Sequence, residues 1–534
     1  MATQQITEQP PLAQGTAWAP PKWVVVSTQS GVVPGGGRAT FAADVLKLVT
    51  GSASAQILTM LTAPFVARLF APAAFGTAAL FVSITGVISA VVGMRYELSI
   101  VLPKKDEEAA NAMAVSLCFI LLTSGLTAVL VALGGNWILR TLHAPELQGY
   151  LWLAPLTVLL NGVFAALSYW ATRKKNFGGL TLSQFISVVF FVAAQIGAGL
   201  AGHSSGGTII LATLLSLVVA TFTLGWRSWP ECVRLFVHDV RLRRMIVALK
   251  RYSGFPKYST ASAVLNNLGW QMPTFILSAF FSASVVGHYA LGNRLLRVPV
   301  NLIGVNIATV FFQHASEAHH QGTLRESVDK MLHYLSGIIV FPSLMLGLIG
   351  QELFVVMFGS RWMEAGVYTQ ILSIYVVFWF ISIPLGIVLN VLEKQALELR
   401  LIVVVLIARL VALFLGGKLG DARLALALFS IAGVSVYGYY CYVVLRHCGV
   451  PLSKVARTVA LSLATFAPAG LIIGVLKYSD VRPIIVLITA AVLVVLYYWN
   501  LIRTDATARG TLMAVVQKFT PERISSNVRS AEST

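Results

Sequence analysis

FAPAAFGTAAL, residues 70–80, and FSASVVGHYAL, residues 281–291, set the architecture of this chain. Aligned without gaps, they match at Phe70 and Phe281, Gly76 and Gly287, Ala79 and Ala290, and Leu80 and Leu291. A weaker echo precedes them, SASA at 52–55 against ASA at 261–263. Apolar runs flank both copies, each near the roughly 20 residues that an α-helix needs to cross a hydrocarbon core of about 30 Å. Each copy therefore marks the tight connection between the first two spans of a repeated block.

Working outward, fourteen such runs follow one another. The first block holds Asp44 to Leu69, Phe75 to Arg95, Ala110 to Leu133, Tyr150 to Trp170, Leu182 to Leu200 and Thr208 to Leu224. The second holds Thr260 to Phe280, Val285 to Phe312, Leu332 to Met357, Val367 to Val391, Leu399 to Gly416 and Leu424 to Leu445. Ala456 to Leu476 and Ile484 to Leu501 fall outside the repeat. Six spans per block preserve orientation, so the blocks are parallel repeats about an axis along the membrane normal, an arrangement used by transporters. The expected fold is all-α, with two six-helix lobes around a central cavity and an appended helix pair. The boundaries read as an N-terminal tail over 1–43, a first lobe over 44–225, a basic connector over 226–257, a second lobe over 258–447, the extra pair over 448–502 and a C-terminal tail over 503–534. Pro64, Pro155, Pro273, Pro299, Pro342 and Pro384 all fall inside apolar runs, where a lost backbone hydrogen bond bends a helix.

Hydrophobic residues make up 57% of the chain and charged ones 11%, against roughly 25% charged in soluble domains. The net charge of +18 follows topology rather than nucleic-acid binding. With both termini cytoplasmic, about 29 of the 39 Lys and Arg fall on the cytoplasmic side, the bias that orients membrane proteins. Attraction to anionic membrane lipid is a secondary consequence. Cys118, Cys232, Cys441 and Cys448 show no metal-ligand pairing and read as apolar fillers. There is no GxxxxGK[ST] phosphate loop, and His314, Glu317, His319 and His320 do not follow HExxH spacing. Neither a metal nor another cofactor is expected.

Arg294 and Arg297 lie deep in the eighth run and Arg409 in the eleventh. Each costs about 3 kcal/mol at a helix centre, which calls for a polar cavity or an anionic guest. Asn293, Arg297 and Asn301 follow four-residue spacing, with Arg294 beside them, and so form a polar stripe on an apolar helix. Asn266, Asn267 and Gln271 sit at comparable depth in the seventh run. Guanidinium suits pyrophosphate, since its planar fork donates two hydrogen bonds while keeping its charge. Arg95, near the end of the second run, is a candidate for substrate entry. None of the 21 Asp and Glu falls at mid-depth on this reading; Asp44 and Glu97 come nearest, at cytoplasmic ends. The interior therefore reads as anion-binding, whereas exporters of cationic drugs use buried carboxylates.

RYELSIVLPKKDEEAANAMAVS, from Arg95 to Ser116, and GHYALGNRLLRVPVNLIG, from Gly287 to Gly304, resemble the polysaccharide transporter family of lipid-linked repeat-unit flippases, the Wzx type. That family belongs to the superfamily of multidrug, oligosaccharidyl-lipid and polysaccharide exporters. The resemblance implies outward movement of an undecaprenyl-pyrophosphate-linked oligosaccharide across the bacterial inner membrane by alternating access, with no enzymatic step. It also implies a cationic role for Arg294 and Arg297 toward pyrophosphate or acidic sugars. Expected partners are the lipid-linked substrate, membrane lipids and the polymerase and export machinery of the same pathway, with no nucleic acid. Two other classes compete: a membrane polymerase or ligase, which would carry a sizeable outer catalytic loop, and a drug/ion antiporter.

Overall fold

A computed structural model of the chain describes residues 54–479 and 481–504. The expected tail over 1–43, the first ten residues of the first span and nearly all of the C-terminal tail lie outside the described residues. Among those described, the regular structure is entirely helical. The first lobe comprises α1 (54–69), α2 (Pro72–Ser89), α3 (Asp106–Thr141), α4 (Ala154–Arg173), α5 (Phe177–Leu200) and α6 (Gly206–Asp239). A short helix, α7 (Leu242–Arg251), leads to the second lobe of α8 (Thr260–Phe280), α9 (Ala283–Pro299), α10 (Val305–His320), α11 (Leu324–Phe358), α12 (Met363–Val391), α13 (Gln395–Lys418) and α14 (Ala422–His447). α15 (Leu452–Tyr478) and α16 (Pro483–Thr504) complete the described residues.

A helix satisfies every backbone polar group within its own segment, which is why apolar runs of this length take no other form in a bilayer. Eleven of the described helices are long and apolar enough to cross a membrane. Three expected spans stand apart. α1 begins where the described residues begin. α8 has the full length of 21 residues but is diluted by Asn266, Asn267 and Gln271. The eighth span is broken at Pro299, whose missing N–H removes a ladder bond; a π-helical stretch, Val300–Gly304, separates α9 from α10. Pro273, Pro342 and Pro384 lie inside helices as expected. Pro155 instead stands at the start of α4, where its lack of a donor costs nothing.

The second span also ends early. α2 stops at Ser89, the chain turns through Met94 and Arg95 at φ of 49° and 61°, and a 3-10 turn, Tyr96–Val101, follows. The stretch 226–257 is largely helical, as the end of α6, α7 and a π-helical turn, Phe255–Ser259.

α12 is the axis of the second lobe. It packs on α9, α10, α11 and α14, and its Tyr375, Phe380, Leu385 and Leu389 are all at most 2% exposed. The first lobe divides its core between a cluster around Phe70, Phe81 and Leu147 and another around Ile100, Ile120 and Trp170. α15 and α16 attach to α11, where Phe341 stacks on Tyr497 at 4.1 Å and the Tyr497 and Tyr498 hydroxyls donate to the carbonyls of Gly337 and Ile338. Large apolar side chains stay exposed along the outer faces, among them Leu122, Leu133, Ile407, Leu471 and Val495, as lipid contact requires.

The lobes meet along α2 and α9, at the end of the molecule away from α7. There Gly76 and Gly287 bring two backbones together: a Cβ on Gly76 would overlap the Ala283 carbonyl, and one on Gly287 the Pro72 carbonyl. Around that crossing, Trp362 Nε1 donates to the Ala67 carbonyl at 2.7 Å and Arg68 Nη2 to that of Val356 at 2.8 Å. The Ser278 hydroxyl donates to the Leu142 carbonyl at 2.6 Å. Phe75 meets Trp362 edge to face at 5.0 Å, within a cluster that joins Ala67 to Leu291, Phe354 and Phe358. This end of the molecule is sealed by contacts from both lobes.

Candidate functional site

Two neighbouring arginines on α9 serve different surroundings. Residues three apart on a helix point about 60° away from each other, and that angle separates Arg294 from Arg297. Arg294 lines a groove of about 460 Å³ between the lobes, faced from the first lobe by Gln56 and Thr59 on α1 and Gln184 and Ser187 on α5. The second lobe contributes Met357 and Phe358 at the end of α11. One cation, four uncharged polar side chains and apolar walls thus share a space whose two sides belong to different lobes.

Arg297 turns into the second lobe, its guanidinium 4.3 Å from the centre of the Trp270 ring on α8. From there an aromatic chain runs inward: Trp270 to Trp379 at 5.2 Å, Trp379 stacked on Tyr375 at 6.2 Å, and Tyr375 edge to face with Phe429 at 5.6 Å. At its far end lies Arg409 of α13, 4.3 Å over the Phe429 ring, with Nη1 donating to the Tyr437 hydroxyl at 3.2 Å. The structure therefore joins Arg297 and Arg409, which are 112 positions apart in the chain, by a continuous path of rings. Ring faces stabilise a desolvated cation by up to about 2 kcal/mol, which offsets part of the roughly 3 kcal/mol each arginine costs in the bilayer. The Arg409 Nε is buried without a hydrogen-bond partner among the described residues. Arg294, Arg297 and Arg409 make no ion pair among the described residues, so their charge is uncompensated by carboxylates.

The remaining candidates divide. Asn293 is half-buried on α9, whereas Asn301 is exposed in the π-helical stretch after Pro299; the change of helix type interrupts the regular four-residue stripe. Asn266 is exposed on α8, and Asn267 bonds back to the Ala263 carbonyl of its own turn. Gln271 ties the lobes together, its Oε1 accepting from the Ser83 hydroxyl of α2 at 3.1 Å.

Arg95 belongs to a separate cluster in the first lobe. Its Nη1 stands 3.8 Å from Glu97 Oε1, beyond hydrogen-bond reach, and its Nε is buried without a partner. Glu97 is only 7% exposed, and its Oε2 and the nearby Ser116 Oγ also lack partners among the described residues. Both atoms crowd Gly93, where a Cβ would lie 2.5 Å from one and 2.9 Å from the other. Ser116 is ten residues into α3, roughly 15 Å along its axis. Glu97 is thus a carboxylate buried within the protein just beyond the end of α2. Burial pushes its carboxyl above the ordinary range, against the opposing pull of its own backbone hydrogen bond and of Arg95.

Trp270, Trp379, Tyr375, Phe429 and Tyr437 are not legible as site residues in the sequence, because an aromatic in an apolar run reads as core. The one available signal was arithmetic: an arginine in the eleventh run with no carboxylate anywhere at its depth needed another kind of partner. Among the described residues, no three His, Cys, Asp or Glu side chains gather as a metal-binding group.

The family model for Polysaccharide biosynthesis protein matches residues 65–367, more than half of the chain. The chain belongs to that family. Among curated members and relatives, it is 22% identical over 334 residues to the succinoglycan biosynthesis transport protein ExoT of Rhizobium meliloti (strain 1021), covering 58% of this chain and 60% of that one. It is 26% identical over 187 residues to the teichuronic acid biosynthesis protein TuaB of Bacillus subtilis (strain 168), covering 34% and 37%. The matches thus span less than two thirds of either relative.

The fold of this family member is similar to that of the lipid II flippase MurJ in an inward closed conformation, with a TM-score of 0.65 at 13% identity over 84% of this chain and 98% of that one. It is also similar to an inward-facing multidrug resistance MATE family transporter of the MOP superfamily, with a TM-score of 0.55 at 15% identity over 76% and 96%. At such identities the likeness is one of fold. It places the family member among polytopic helical membrane proteins of transporter architecture.

Proposed function

We propose that this protein is a flippase of polysaccharide biosynthesis, carrying an undecaprenyl-pyrophosphate-linked oligosaccharide from the cytoplasmic to the periplasmic leaflet by alternating access. The observation that carries this reading is Arg294 in the groove between the lobes. A guanidinium there offers planar, permanently charged donors to pyrophosphate, while Gln56, Thr59, Gln184 and Ser187 face it from the opposite lobe. Because the two walls belong to different lobes, rocking of one against the other remakes the site.

Family membership and the name of ExoT support transport in polysaccharide synthesis. Arg297 and Arg409 add positive potential behind the groove, which favours an anionic head group over a cationic drug. The lipid tail would remain in the bilayer while the head group crosses. The seal at Gly76 and Gly287 corresponds on this reading to a state closed toward the periplasm, with both termini and the α7 side cytoplasmic. Outward movement of a negative group is further favoured by an inside-negative potential, about 2.3 kcal/mol per charge per 100 mV.

Binding of undecaprenyl pyrophosphate to the purified protein tests the assignment. Arg294→Ala should weaken it by about tenfold or more, the loss expected for a charge-assisted hydrogen bond, whereas Arg294→Lys should retain part of it. Equal affinity in all three proteins would remove the groove from the account.

A further inference from the structure

The connector helix α7 has three distinct faces. At about 100° per residue, Met245, Ala248, Leu249 and Tyr252 turn toward the first lobe, where they pack on Met94, Tyr96, Val115 and Phe119. The Tyr96 hydroxyl donates to the Leu249 carbonyl at 3.0 Å and fixes the helix there. On the adjoining face Leu242 and Ile246 remain 72% and 43% exposed. Next come Arg243 and Lys250, both exposed and without an ion pair among the described residues. Farthest from the leucine edge, Arg244 and Arg251 reach Glu107 and Glu108 of α3 at 3.0 and 3.5 Å. Val247, exposed among the basic residues, is the apolar exception on that side.

We propose that α7 lies in the membrane–water interface and binds the phosphates of anionic glycerophospholipid through Arg243 and Lys250. The order of the faces carries the proposal. A narrow apolar edge bordered by free cations matches the boundary between acyl chains and head groups, where amphipathic helices lie. α7 follows α6, whose stretch Gly206–Trp226 is long and apolar enough to cross a membrane, and it packs on Val115 and Phe119 of the apolar helix α3, so a leaflet is within reach of its exposed edge. Arg244 and Arg251 are already held by carboxylates, which leaves Arg243 and Lys250 as the pair for lipid. Since α7 is fastened to the first lobe and leads within nine residues to α8 of the second, anionic lipid would hold the link between the lobes against the membrane surface.

Hydrogen exchange of the full-length protein in nanodiscs tests this. Discs of phosphatidylcholine alone are compared with discs in which about a third of the lipid is phosphatidylglycerol. The anionic lipid should slow exchange over residues 242–251 several-fold, with α12 unchanged. Arg243→Gln with Lys250→Gln should abolish that protection, and Arg243→Lys with Lys250→Arg should preserve it. Native mass spectrometry should show phosphatidylglycerol retained by the parent protein and lost from the glutamine variant, an affinity change on the order of tenfold or more for two surface charges. Equal protection in the two kinds of disc, or full protection in the glutamine variant, would overturn the proposal. So would inorganic pyrophosphate protecting α7 in neutral discs as well as the lipid does, since the site would then read free phosphate rather than a leaflet.

Discussion

Gly76 and Gly287, equivalent positions of the internal repeat, face one another across the lobes at a crossing too tight for a side chain on either. The repeat thus supplies both halves of its own seal. Glycine is needed here for close approach rather than for an unusual backbone angle, since both residues lie in ordinary helix.

The crossing yields the first prediction. Gly76→Val places branched carbon where the Ala283 carbonyl stands, and backbone rather than a flexible side chain must yield. The sealed end should open: spin labels at Gln148 and Lys418 in a background without native cysteines should show a longer distance by pulsed electron resonance, and translocation should fall at least tenfold. An unchanged distance would mean that the crossing is not the seal.

A second prediction concerns Arg409, held by Phe429, Tyr375 and Tyr437 with no carboxylate partner among the described residues. Replacing an uncompensated buried cation by an apolar side chain of similar length relieves a cost of about 3 kcal/mol less the ring contacts. Arg409→Met should therefore raise the melting temperature by a few degrees while lowering transport. Loss of both stability and transport would show that the arginine is structural.

Glu97 gives a pH dependence whose sign is set by its raised carboxyl pKa. The folded protein holds this proton more tightly than the unfolded chain does. Stability is therefore unaffected at pH values below the ordinary glutamate range, and it falls as pH rises from that range through the folded value. Glu97→Gln should be more stable than the parent at neutral pH and should flatten this part of the profile. Thermal unfolding in detergent between pH 4 and 8 measures both; parallel curves for the two proteins would contradict the assignment.

Much of the fold is legible in the sequence because the bilayer permits so few alternatives. The paired glycines and the division into six, six and two spans follow from residues visible in the chain, whereas Pro299 announces only a bend and the structure has a π-helical break there. The surroundings of the charges were less legible. Arg294 and Arg297 read as members of one stripe, yet a 60° difference sends one into the interlobe groove and the other onto Trp270. Nothing in an apolar run distinguishes Trp379 or Tyr375 as a link between two arginines from either as packing. The burial of Glu97 is not legible because the left-handed turn falls on Met94 and Arg95, two residues that do not favour it, rather than on the neighbouring Gly93, and that turn is what brings the carboxylate back against α3.

Translocation of undecaprenyl-pyrophosphate-linked repeat units from host membranes, reconstituted with purified protein in vesicles and read by exposure to an enzyme added on one side, tests the central claim most directly. The parent protein should make the inner pool accessible, Arg294→Ala should slow this by about tenfold or more, and Arg294→Lys should fall between them. Vesicles with the parent protein that expose no more substrate than protein-free vesicles, or Arg294→Ala at the parent rate, would contradict it.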